Sequence, residues 1–209
     1  DRGRLSRRAG NVRVFLAGAT GVIGRRLVPL MLAEGHVVAG MTRNPDSAGA
    51  LDALGAQPVV CDAYDADALT RHVVGFAPDL VMSQLTDLPD DAREVRDYYA
   101  SGAIERIRLE GGRNLLNAAT AAGARGFVFQ SIAFEPIPRT AEEPVLAAGG
   151  TVLRYGRFYG PDTYDEQYPQ QPPRIHVDDA ARRTMEYLAS GLGIIEIVES
   201  PPPTEPALL

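Results

Sequence analysis

Three glycines, Gly18, Gly21 and Gly24, stand three residues apart immediately after the apolar run Val12–Ala17. An apolar run, a turn with no side chains and the first turn of a helix together make a cradle for a phosphate group. Glycine lets the backbone come close to the phosphates. The helix that follows points its unpaired N–H groups and the positive end of its dipole at the anion. The spacing is G-x-x-G-x-x-G rather than the simpler G-x-G-x-x-G, but the strand before it and the helix after it give it weight. Gly18, Thr20, Gly21, Val22, Ile23 and Gly24 are therefore expected to hold the pyrophosphate of a dinucleotide.

The end of the next apolar run should choose between the two nicotinamide dinucleotides. An acid there would take a ribose 2′-hydroxyl, whereas an arginine suits a 2′-phosphate. The chain reads Gly40-Met41-Thr42-Arg43-Asn44, with no acid and one arginine. Arg43 is expected to favour NADP(H) over NAD(H).

Those residues must be carried by a scaffold, and the bulk composition bounds it. The 209 residues suit one α/β domain with a small appendage. All 21 basic residues are arginine against 27 acids, for a net charge of −6, which argues against a nucleic-acid binder. Arg25-Arg26 and Arg182-Arg183 are expected on solvated helix faces. Cys61 is the single cysteine, so neither an intrachain disulfide nor a cysteine metal cluster can form; it is expected to be a buried small hydrophobe. No apolar run approaches the roughly 18 residues of a membrane span. Residues 1–11 are expected to be a disordered lead, and a cytoplasmic protein without membrane or metal is the default expectation.

Strands are expected at Val12–Ala17, His36–Met41, Gln57–Cys61, Leu80–Ser83, Gly126–Gln130, Thr151–Arg154 and Ile194–Val198. Their nearly continuous apolar character suits a parallel sheet covered on both faces. Helices are expected at Val22–Glu34, Ser47–Leu54, Ala66–Val74, Ala103–Ala122 and Val177–Ala189, the first four stopped by Gly35, Gly55, Gly75 and Gly123. Pro29 should cost the first helix a hydrogen bond or bend it slightly. This alternation predicts an α/β, doubly wound parallel sheet, the Rossmann fold. Residues 12–160 would form the dinucleotide-binding domain. Residues 161–209 would form a small, incomplete substrate region whose strand and helix return to the core, ending in a Pro-rich extended tail.

Several further segments fall in an order that resembles the extended or atypical short-chain dehydrogenase/reductase superfamily, near its NAD(P)-dependent epimerase/dehydratase group. They are Gly18–Gly24, Cys61-Asp62, Gln84-Leu85-Thr86, Glu110–Leu116, Gln130-Ser131, Leu153-Arg154 with Tyr159-Gly160-Pro161, and Ile175–Ala180. The resemblance implies that Asp62 lies beside the adenine, Leu85 and Thr86 beside the ribose, and Ser131 near the nicotinamide, with Gln84 also among the cofactor-binding residues. It makes Ser131 and Tyr159 the catalytic candidates, Tyr159 lying in a loop by the substrate. Each has a plainer alternative. Asp62 could cap the turn before Tyr64, Ser131 could be a strand-end hydroxyl, and Tyr159 could be a packed turn residue. His176 is expected to be structural, with Asp178 or Asp179 capping the helix there. Relatives often pair as homodimers, and the same is expected here.

The family's acid/base pair is a tyrosine with a lysine four positions later, and this chain has no lysine. Without the ammonium, a phenol near pKa 10 is a poor base. The family asparagine of the long helix is replaced by Arg108. The interval from Ser131 to Arg154 is short, as though segments of a longer chain were left out, and Ala141–Ala148 is expected to supply the stub of a catalytic helix. Tyr155, Tyr159 and Tyr164 are the substitutes nearest to hand. Two readings remain open: an NADP(H)-dependent oxidoreductase, epimerase or dehydratase of unknown substrate, and a non-catalytic NADP(H)-binding redox sensor or partner-binding module.

Overall fold

The computed structural model describes residues 11–89, 91–167, 171–188 and 191–199. The expected lead, apart from Asn11, and the Pro-rich tail lie outside them.

Seven strands form one parallel sheet in the order β3-β2-β1-β4-β5-β6-β9. They are β1 (Arg13–Ala17), β2 (Val37–Thr42), β3 (Gln57–Val60), β4 (Leu80–Ser83), β5 (Gly126–Ile132), β6 (Thr151–Tyr155) and β9 (Gly193–Ile197). The strand order reverses beside β1, the place where open α/β sheets bind ligands beyond their C-terminal ends. Successive side chains of a strand face opposite layers. Val14 and Leu16 therefore pack into one core, and Phe15 and Ala17 into the other. All four are fully buried, which is why the run reads as continuously apolar. Each Leu or Phe so buried contributes about 2 kcal/mol.

One layer holds α1 (Gly24–Ala33), α2 (Ala48–Leu54) and α8 (Val177–Thr184); the other holds α3 (Ala66–Phe76), α6 (Gly112–Ala121) and α7 (Arg139–Ala147). Gly55 and Gly123 end their helices with positive φ, as expected. Gly75 does not: α3 runs on to Phe76 and stops at Ala77, itself left-handed at φ 50°. Pro29 lies inside a continuous α1. In place of one long helix, α4 (Val95–Ser101) and α5 (Ala103–Arg106) lead into a π-helical turn at Ile107–Gly111 before α6. α7 is helical over most of the expected Ala141–Ala148. Its Ala141 and Val145 cover the sheet face that would otherwise be bare.

The segment after β6 adds β7 (Arg157–Tyr159) and β8 (Arg174–His176), which pair in a separate two-stranded parallel sheet. Three residues apiece carry no legible period. α8 then returns the chain to β9 at the sheet edge. Among the described residues no helix is long and apolar enough to cross a membrane, and no cluster of metal ligands occurs.

Candidate cofactor site and its surroundings

The three glycines of the turn do different work. A Cβ at Gly18, whose φ is +83°, would lie 2.6 Å from the Gln84 carbonyl oxygen. A Cβ at Gly24 would lie 2.1 Å from the Gly18 oxygen and 2.8 Å from the Ala19 backbone. These two positions let β1, β4 and α1 meet. Gly21 is exposed, and a Cβ there would find only the Gly18 oxygen at 3.4 Å. Its free side is therefore the approach to the backbone. Ile23, the residue preceding α1, offers no side-chain cap, and the first turn carries no acid. The Arg25, Arg26 and Leu27 N–H groups bond to the Gly21 and Ile23 carbonyls, and no capping side chain competes with an anion at the turn ahead of them. The turn therefore fits a pyrophosphate.

Arg43, Asp62, Leu85 and Thr86 follow the C-terminal ends of β2, β3 and β4, along one edge. Thr42 and Thr20 share a hydroxyl hydrogen bond at 3.2 Å, which ties the end of β2 to the glycine turn. The Arg43 guanidinium is 66% exposed and pairs with Asp87 at 2.5 Å. Asp62 accepts a hydrogen bond from the Tyr64 backbone N–H at 2.9 Å, so it does serve as the turn cap. Arg106 lies over the Tyr64 ring at 4.1 Å. Cys61 is buried, and its thiol is pushed up by burial, then by the charges of Asp65 and Asp62. It sits in the core as a small hydrophobe would.

The catalytic candidates are each held by a carboxylate. Ser131 is fully buried and donates its hydroxyl to Glu142 Oε1 at 2.5 Å. Arg154 grips the same carboxylate through Nε at 2.9 Å and Nη2 at 2.5 Å. Burial works to raise Glu142, but the hydrogen bonds from Arg154 and Ser131 win and hold it below the usual carboxylate range. Tyr159 lies in β7 and donates its hydroxyl to Glu199. That bond, then burial, raise the phenol further from a useful base. Ser131 and Tyr159 thus belong to two separate carboxylate networks.

Tyr155 is fully buried, and burial pushes its hydroxyl up to about 12. The Gln84 amide donates to the Tyr155 oxygen at 3.4 Å, the Tyr155 hydroxyl meets Thr184 at 2.7 Å, and Thr184 donates on to the Ala180 carbonyl. This chain stitches β4 to β6 and α8. Tyr164 donates to the Pro89 carbonyl. Every tyrosine nominated as a substitute base is engaged elsewhere.

Two expectations are corrected. The His176 ring itself caps α8, accepting the Asp178 N–H at 3.3 Å, so neither aspartate is the cap. Asp178 and Asp179 instead bind Arg26 and Arg182. Nor is Arg26 on a solvated face. Its side chain is 14% exposed, reaching Asp178 at 2.6 Å, the Val22 carbonyl at 2.8 Å, the Pro161 carbonyl at 2.7 Å and Asp162 at 3.1 Å. It ties the C-terminal segment to the helix of the glycine turn. The sequence offered no signal for Arg26, Glu142 or Thr184, because their partners are distant in the chain. A cavity of about 450 Å³ lies beside α8, lined by Ile175, Asp179, Arg182, Arg183, Glu186 and Glu199; none of these belongs to the glycine turn.

Residues 18–146 match a family model described as NAD(P)H-binding. The chain belongs to the NAD(P)H-binding family. The match runs from the glycine turn through α7, so it includes the cradle, Arg43, Ser131 and Glu142. Among curated relatives, the family member is 37% identical over 182 residues to a 3-diazoavenalumate denitrifying reductase of a Streptomyces species, covering 73% of this chain and 58% of that protein. It is 28% identical over 86 residues to a decarboxylating sterol-4-alpha-carboxylate 3-dehydrogenase of Dictyostelium discoideum, covering 41% and 26%. The chain thus spans little more than half of the first relative. Solved structures sharing the fold include the UDP-glucose 4-epimerase of Thermus thermophilus in complex with NAD, with a TM-score of 0.69 and 22% identity over 89% of this chain and 77% of that one. The UDP-glucose 4-epimerase of Thermotoga maritima with UDP-glucose gives a TM-score of 0.71 at 16% identity, over 89% and 76%. This NAD(P)H-binding chain therefore shares the Rossmann architecture of those two epimerase structures.

Proposed function

We propose that the protein is an NADP(H)-dependent reductase. The observation that carries this reading is the pairing of an open anion cradle at Gly21 with Arg43, the cation that follows β2. Gly18, Gly21 and Gly24 with the N-terminus of α1 would hold the pyrophosphate, Arg43 the 2′-phosphate, Asp62 the adenine side, and Leu85 and Thr86 the ribose. Bound NADPH supplies a hydride.

The segment from Ser131 to Arg154 contains neither tyrosine nor lysine, and the nearby phenols are engaged. That favours a substrate that accepts hydride without needing a proton. A diazo relative of the kind named for the Streptomyces enzyme fits. Hydride addition at a diazonium carbon forms a C–H bond, breaks the C–N bond and releases N₂, with no proton to supply. Carbonyl reduction leaves an alkoxide and does need one. The same engaged hydroxyls support a second reading, a redox sensor that binds the dinucleotide without turnover.

NADPH and NADH titrations of the wild type and Arg43→Ala check the cofactor, and single-turnover loss of reduced-nicotinamide absorbance checks the chemistry. We expect NADPH to bind more tightly than NADH, with Arg43→Ala losing about tenfold for NADPH alone, the ~1.4 kcal/mol of a charge-assisted contact. Oxidation of NADPH by an aryl diazonium salt is expected. Binding without oxidation by diazonium, carbonyl or nucleotide-sugar compounds would leave the sensor.

A further inference from the structure

The Arg43 partner has its own consequence for cofactor choice. Asp87 stands in the loop after β4, and Arg43 follows β2. These strands flank β1 on either side, so the ion pair spans the C-terminal end of the strand that feeds the glycine turn. Asp87 holds left-handed backbone at φ 49°, and its side chain is 13% exposed against 66% for Arg43. The acid is the more buried member of the pair and the arginine the exposed one. Asp87 also faces Tyr64, the residue after Asp62 and Ala63: burial, then the Asp87 charge, push that hydroxyl up. The carboxylate therefore borders the adenosine end of the site.

We propose that Asp87 is a specificity-determining residue that occupies the Arg43 guanidinium and so competes with the 2′-phosphate of NADP(H). This inference rests on the Arg43 assignment above. A 2′-phosphate reaching Arg43 must displace a carboxylate at 2.5 Å and then sit beside its negative charge. NADH brings no phosphate and leaves the pair intact. Asp87 thus narrows the gap between the two cofactors instead of letting Arg43 open it fully. Exposed ion pairs and their neighbours' repulsion are modest and screened by salt, so the effect is a tuning of preference.

The test is calorimetric titration of NADPH and NADH into wild type, Asp87→Asn, Arg43→Ala and the double variant, at low and high salt. Asparagine tolerates left-handed backbone and keeps the shape of the side chain. Asp87→Asn is expected to tighten NADPH about fivefold, to leave NADH within about twofold, and to lose most of its gain at high salt. In the Arg43→Ala background the same change should gain less than about twofold, because only the direct repulsion is left to remove. Weakened NADPH binding by Asp87→Asn, or equal tightening of both cofactors, would overturn the inference. If Arg43→Ala leaves NADPH affinity unchanged, the Arg43 assignment itself fails; if only Asp87→Asn is silent, the competition fails while the assignment stands.

Discussion

Gly24→Ala is expected to lower the melting temperature of the unliganded protein by about 9 °C, corresponding to ~3 kcal/mol of overpacking in a chain of this size. The new methyl carbon would lie 2.1 Å from the Gly18 oxygen and 2.8 Å from the Ala19 Cα. Both neighbours are backbone, so no rotamer change relieves the clash, and α1 must move off the end of β1. That movement would also pull Leu27, Val28 and Met31 out of the core they share with Val14 and Leu16. The loss of cofactor binding should accompany the loss of stability. A thermal melt within about 2 °C of wild type would show that the turn is looser than its geometry requires.

Arg154→Met should be nearly as damaging, by another route. Removing the guanidinium leaves the buried Glu142 carboxylate with the Ser131 hydroxyl against it, and breaking a buried pair in this way costs about 3–5 kcal/mol. Replacing both members, as Glu142→Leu with Arg154→Met, should recover most of that loss, because no charge is then stranded. The pH dependence separates the two effects. In the wild type, Glu142 is held below its unfolded pKa. Its contribution is therefore full above the ordinary carboxylate range near pH 4.3 and disappears as pH falls through the lower folded value. In Arg154→Met, burial without the arginine raises that pKa, so the deficit relative to wild type should shrink as the solution is acidified from pH 7. Denaturant unfolding at several pH values measures it; a deficit that stays constant would mean that packing, not charge, carries the loss.

The parts of this molecule that are legible in sequence are those whose cause is local. The glycine spacing, the apolar strands and the Gly55 and Gly123 helix stops each follow from a few adjacent residues. Arg43 stands out by an equally local signal, the acid-free Gly40–Asn44, and its ion pair with Asp87 lies beyond that reach. The site network is not local. Ser131 is visible in sequence as a strand-end hydroxyl, but the Glu142 that α7 places on it and the Arg154 that β6 brings to the same carboxylate are not. Tyr155 likewise reads as a free phenol until α8 supplies Thr184. Arg26 looks like half of a solvated pair because Pro161, Asp162 and Asp178 are far along the chain. The Gly75 stop failed for a different reason: Phe76 is drawn into the core beneath α3, and its burial extends the helix one residue past a permissive glycine.

The central claim is that the exposed face of the glycine turn receives a dinucleotide, and Gly21→Asp tests it most directly. A Cβ at Gly21 meets no backbone closer than 3.4 Å, and the position is exposed, so the variant should leave the fold intact while placing bulk and negative charge where the pyrophosphate must approach. Thermal melts of wild type and variant, with and without NADPH at about a hundredfold over its dissociation constant, supply the comparison. The wild type should gain about 2.7 kcal/mol, or roughly 8 °C, while the variant melts within about 2 °C of unliganded wild type and gains nothing. An equal ligand-induced rise in the variant, or no rise in the wild type with NADPH or NADH, would contradict the account.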